Sequence, residues 1–170
     1  MAKLLNYTTE IPASRTVAEI YALLSEGGAR AIMSEYDGSQ KPTGICFQLI
    51  TTFGPIMYRL PANVTAAQTV LNAMTKRTGR DKIPDRYYND RDQAERVAWR
   101  IVRDWVEVQL AIHQLGQAKL EQIMLPFAVT PDGRTYYERV VERGSLALPE
   151  PKKEEPRPVG PVTVGLEVVQ

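Results

Sequence analysis

Nine cations fall between positions 76 and 103: Lys76, Arg77, Arg80, Lys82, Arg86, Arg91, Arg96, Arg100 and Arg103. Only five carboxylates share that span (Asp81, Asp85, Asp90, Asp92 and Glu95), which leaves a local excess of four positive charges. Tyr87 and Tyr88 are interleaved with them in the run GRDKIPDRYYNDRDQ, residues 79–93. Arginines that follow a phosphate backbone, beside rings that can stack on bases, are the chemistry of single-strand nucleic-acid binding. On this basis Arg80, Arg86, Arg91, Arg96, Arg100 and Arg103 are the candidate phosphate contacts, and Tyr87 and Tyr88 the candidate stacking rings. A solvated helix face competes with that interpretation, because Arg100/Asp104 and Arg103/Glu107 stand at i, i+4 and can form ion pairs.

Other chemistry has less support. The four aspartates of the run could hold magnesium only by converging, and each has a cationic neighbour in sequence, so no metal site is expected. His113 is the only histidine, and it falls on the second apolar side of a predicted helix, where a structural or merely partly exposed side chain is expected, not a metal ligand or base. Cys46, the single cysteine, sits between Ile45 and Phe47 in a predicted strand, where an inert buried thiol is expected. Neither phosphate-binding glycine pattern, G-x-x-x-x-G-K-[ST] nor G-x-G-x-x-G, occurs. No catalytic constellation is visible and no cofactor is expected, so a non-enzymatic role is the expectation.

The totals set the frame. A chain of 170 residues with 44% hydrophobic and 24% charged content can bury a real core. Net charge is only +1, so any nucleic-acid surface has to be local. The start MAKLLNYTTE lacks the layout of a signal peptide, and no apolar run is long enough to span a membrane. Location in a cytoplasm is the expectation.

Periodicity supplies the elements. RTVAEIYALLSEGG predicts a helix, with Thr16 and Glu19 as a capping box, an apolar stripe through Val17, Ile20, Tyr21 and Leu24, and Gly27-Gly28 at its end. RAIMSEY, TGICFQLIT and IMYRLP predict a three-stranded antiparallel meander, because the turns DGSQKP and TFGP are too short for anything else. LLNYTTEI before the first helix is a candidate fourth strand. Residues 64–75 predict a second helix, with Thr65/Gln68 as its capping pair. RDQAERVAWRIVRDWVEVQLAIHQLG predicts the longest helix, apolar along Ala94, Val97, Ile101, Trp105, Val108, Ile112 and Leu115. A second strip, Trp99, Val102, Val106 and Leu110, lies beside it. A helix apolar around so much of its girth needs cover on two sides, so it is expected to support the sheet. AKLEQIM predicts a short helix, LPFAVTPDGRTYY a strand and a turn, and Thr135/Glu138 the cap of a last helix ending at Gly144.

The expected fold is therefore α+β: a three- to four-stranded antiparallel meander on a long central helix, in the order β-α-β-β-β-α-α. One globular domain is expected over 1–146, a proline-rich linker over 147–161, and a strand or arm over 162–170 that adds to a sheet edge of a second copy. Four phrases in order, IPASRTVAEIYALLSEGGA, FGPIMYRLP, AERVAWRIVRDWVEVQLAI and EQIMLPFAVTPDGRTYYE, resemble a family of small proteins encoded by bacteriophages and other mobile elements. The resemblance covers roughly residues 7–143 and carries over no functional residue. It implies a viral protein in a host cytoplasm, with a role in nucleic-acid or host interaction. The leading expectation is a single-stranded DNA-binding homo-oligomer; the alternative is a protein-interaction module, an assembly component or an inhibitor of a host factor.

Overall fold

The computed structural model describes residues 3–144. Its elements run α1 (Ala13–Glu26), β1 (Ala31–Tyr36), β2 (Pro42–Thr51), β3 (Gly54–Pro61), α2 (Val64–Thr75), α3 (Arg91–Gln114), α4 (Leu120–Met124) and α5 (Tyr136–Glu142). Two single 3₁₀ turns, Gly79–Asp81 and Asp85–Tyr87, punctuate the connector from α2 to α3. The class is α+β, as expected, with a three-stranded antiparallel sheet in the order β1-β2-β3. The predicted linker at 147–161 and arm at 162–170 lie outside the described residues.

The expected first strand is absent, which corrects the predicted element order. Asn6 takes a left-handed φ of 59°, and Thr9 N–H bonds to its carbonyl at 2.9 Å, so the chain turns where a strand would extend. Its side chain donates to Asp104 at 2.7 Å, which fastens the segment to α3. The strand expected in LPFAVT is also reduced. Ala128 bridges to Tyr58, and Val129 N–H donates to the Met57 carbonyl at 2.7 Å, before the chain turns away from the sheet.

Two of three predicted caps differ. Helix α1 begins earlier than its Thr16/Glu19 pair, with Pro12 ahead of its first turn. Thr16 is fully buried inside the helix and donates to the Pro12 carbonyl, while Glu19 is committed to α3. Asn63, not Thr65, caps α2 by accepting from Ala66 N–H at 2.9 Å. The Thr135/Glu138 capping box is present at α5, with Thr135 N–H donating to the Glu138 carboxylate at 2.7 Å. Gly28 follows α1 at φ +91°, a conformation that L side chains rarely adopt.

Helix α3 divides the interior into two cores. Ile45, Phe47 and Leu49 of β2, with Tyr58 and Leu60 of β3, face Ile20 and Leu24 of α1 and Trp99, Val106 and Leu110 of α3. On its other side, Ala94, Val97 and Ala98 meet Ala67, Leu71 and Met74 of α2, with Ile83 and Tyr87 of the connector. The second apolar strip thus holds the sheet, and the main stripe serves the α2 core only in its first half. Val108 and Leu115, from its second half, are 54% and 74% exposed. Trp99 is fully buried, whereas Trp105 is half-buried and edge-on to Phe127, with centroids 5.3 Å apart.

Candidate nucleic-acid interface

The connector owes its shape to two apolar anchors. Ile83 and Tyr87 point into the α2 core, and Ile83 N–H bonds to the Met74 carbonyl at 3.4 Å, so the polar residues between and beside them are turned outward. The stacking role expected of Tyr87 is corrected here. Its ring is 7% exposed and stands edge-on to Tyr7, at 5.9 Å between centroids. Tyr88, 44% exposed, remains accessible.

Around these rings the fold assembles a cationic face that includes a residue remote in sequence. The N-terminal segment is held by Gln93, 3% exposed, whose amide donates to the carbonyls of Tyr7 and Thr9 at 2.7 and 3.0 Å. Leu4 N–H meets the Met74 sulfur at 3.4 Å. Lys3 is thereby placed 5.6 Å above the Tyr7 ring, while the Arg86 guanidinium covers Tyr87 at 4.9 Å and donates to its hydroxyl at 3.0 Å. Lysine, two tyrosines and arginine form a ladder. The hydrogen bond to the Tyr87 hydroxyl holds the Arg86 pKa above the ordinary guanidinium value. Lys76 lies 5.3 Å over Tyr88, and Arg80 is exposed on its 3₁₀ turn. Of the nearby carboxylates, Asp85 is paired with Lys82 at 3.2 Å.

The helix arginines have a different environment. Arg100 meets Glu19 of α1 at 2.6 Å and Asp104 at 3.8 Å. Arg103 pairs with Glu107 and, at 3.3 Å, with Asp104. Its Nε lies 3.4 Å from Glu19, near enough for attraction but not aligned as a hydrogen bond, and is otherwise unpartnered. Both side chains are 19% exposed, so the surface expected to meet phosphate is an internal seam between α1 and α3. Arg96 is half-buried and donates twice to the Gln93 side-chain oxygen, at 3.0 and 2.8 Å. Arg91 lines a separate cleft of about 300 Å³ with Lys41, Asn63 and Glu95. There Lys41 is held by Glu95 at 2.8 Å and Asp92 at 3.0 Å. Of the eight residues expected at the site, Arg80, Arg86 and Tyr88 stay exposed in the connector, with Lys76 over Tyr88 and Lys3 over Tyr7. Lys76 was visible as part of the charge cluster; nothing near Lys3 in sequence pointed to the connector.

The four aspartates serve separate ends. Asp90 caps α3 by accepting from Gln93 N–H at 2.9 Å, Asp92 and Asp85 pair with lysines, and Asp81 sits on the exposed first turn. Among the described residues no three His, Cys, Asp or Glu side chains are grouped to hold a metal ion. His113 is exposed, more so than its place beside the second apolar strip suggested, with Nδ1 3.2 Å from the Ala118 carbonyl. The Cys46 thiol is buried beside Glu35, and desolvation together with that carboxylate pushes its pKa up, away from the reactive thiolate. Among the described residues no helix is long and apolar enough to cross a membrane. Comparison with family models, with curated proteins and with solved structures found no match.

Proposed function

We propose that this chain binds single-stranded nucleic acid, DNA in the first instance, on the connector face and without chemistry of its own. A phage or mobile-element origin, with action in the host cytoplasm, completes the proposal. One observation supports it: the connector exposes Arg80, Arg86 and Tyr88, Lys76 lies over the Tyr88 ring, Lys3 and Arg86 lie over the adjoining Tyr7–Tyr87 pair, and Asp85 is already paired. A base stacked on Tyr88 would have Lys76 within reach of its phosphate, and Arg80 and Arg86 could meet the neighbouring ones. Each phosphate so neutralised releases a counterion, so affinity must fall as salt rises.

The test is fluorescence anisotropy with labelled oligothymidine, duplex DNA and RNA over a salt series. Lys76→Glu with Arg80→Glu is expected to weaken single-strand binding at least about 10-fold and to flatten the salt slope, while Arg30→Glu leaves both unchanged. Equal affinity in the double variant and the wild type would refute the assignment. A wild type that binds duplex or RNA more tightly would overturn the strand preference.

A further inference from the structure

Gln93, in the first turn of α3 and 3% exposed, has both ends of its amide engaged. Its nitrogen donates to the Tyr7 and Thr9 carbonyls at 2.7 and 3.0 Å, and its oxygen accepts from Nε and Nη2 of Arg96 at 3.0 and 2.8 Å. Two carbonyls need a donor and a guanidinium needs an acceptor; a primary amide offers one at each end. Arg96 therefore fixes which way the amide points. Turned over, its NH₂ would face the guanidinium and its oxygen the two carbonyls.

The carbonyls belong to residues 3–10, a segment that is neither helix nor strand. Its other ties are few. Asn6 donates to Asp104 at 2.7 Å, Thr9 N–H closes the turn onto the Asn6 carbonyl, and Leu4 and Tyr7 pack on the α2 core. Individual side-chain bonds, not a backbone ladder, decide whether such a segment stays down. Lys3 rides at its end, over the Tyr7 ring that stands edge-on to Tyr87 beneath Arg86. Release of the segment takes Lys3 away from those rings.

We propose, resting on the single-strand reading above, that Gln93 is a positioning residue of that site: Arg96 orients its amide, the amide latches residues 3–10, and the latch delivers Lys3 to a phosphate. Coupling between two equilibria is reciprocal, so a bound strand must in turn hold the segment down.

The test is anisotropy of the full chain with labelled oligothymidine, joined to amide hydrogen exchange. Lys3→Ala is expected to bind about 5-fold more weakly at about 0.1 M salt, with a slope shallower by about 0.7, the share of one phosphate on a single strand. Gln93→Glu keeps an acceptor for Arg96 but turns oxygen toward the two carbonyls; it should lose the same factor, and adding Lys3→Ala should then cost nothing more. Asn6→Gly allows the left-handed φ and removes the Asp104 bond, so it opens the latch without altering α3. It should lose at least part of that factor, again only while Lys3 is present. Arg96→Met should likewise weaken binding in the wild type and not in Lys3→Ala. Saturating oligothymidine should slow exchange in residues 4–10 by about 5-fold in the wild type and leave it unchanged in Lys3→Ala. A Gln93 with a structural role alone would change stability but not abolish the effect of Lys3→Ala. Additive losses for Lys3 and Gln93, or for Lys3 and Asn6, overturn the proposal. Arg96→Met that still weakens binding in Lys3→Ala overturns the relay, because Arg96 then meets phosphate itself. Lys3→Ala that binds like the wild type, while Lys76→Glu with Arg80→Glu does not, overturns the latch and leaves the single-strand reading standing. A wild type that binds no strand overturns both.

Discussion

The connector between α2 and α3 and the ridge of α3 facing α1 are both rich in arginine and adjoin in sequence, yet their charges have opposite fates. On the ridge, Arg100 and Arg103 face Glu19, Asp104 and Glu107, and the attraction is used up inside the fold. In the connector, Arg86 lies over a tyrosine ring, which attracts the cation without neutralising it. An aromatic partner keeps an arginine available to an anion; a carboxylate partner removes it. Local charge counts therefore predict a ligand surface only after tertiary partners are subtracted.

Each region is rooted by one buried ring, and removing those rings gives the largest effects. Trp99 roots the ridge helix in the sheet core, so Trp99→Ala should cost about 3–5 kcal/mol in urea denaturation, and Trp105→Ala roughly half as much. Equal losses would mean that Trp105 is packed as deeply as Trp99. Tyr87 roots the connector, and Tyr87→Ala should cost about 2–4 kcal/mol, against no more than about 0.5 kcal/mol for Tyr88→Ala. If the two tyrosines prove equally dispensable, the ladder on Tyr7 is not a structural anchor.

The smallest contrast bears on the arginines themselves. Replacing Arg100 and Arg103 together by Ala should destabilise by about 1–3 kcal/mol, because Glu19 and Asp104 lose their charge-assisted bonds in a half-buried seam. Arg80→Ala should stay within about 0.5 kcal/mol by the same denaturation measurement. A neutral result for the ridge pair would place those arginines back among the surface charges and reopen them as phosphate contacts.

The meander, the second helix and the long helix were legible because their signals are local. Short turns force antiparallel neighbours, and apolar spacing near the helical repeat marks α2 and α3 over the ranges observed. Caps were less legible: Asn63 and Thr65 both suit the start of α2, and backbone geometry chose the first. In LLNYTTEI the one local signal for a turn was Asn6, a residue that tolerates positive φ, and apolar and β-branched neighbours masked it; long-range bonds to α3 hold the turn in place.

The sequence by itself determined the α+β class, the three hydrogen-bonded strands and the presence of an excess of positive charge after α2, all of which depend on neighbours a few residues apart. Only the tertiary structure decided which tyrosine is buried, which tryptophan fills the sheet core, which arginines are neutralised by α1, and that Lys3 joins the connector. The reason is physical. Burial and charge pairing depend on distances in space, and Glu19 to Arg100 or Lys3 to Tyr87 are contacts or near neighbours that only the packing of α1 and the N-terminal segment on α3 creates.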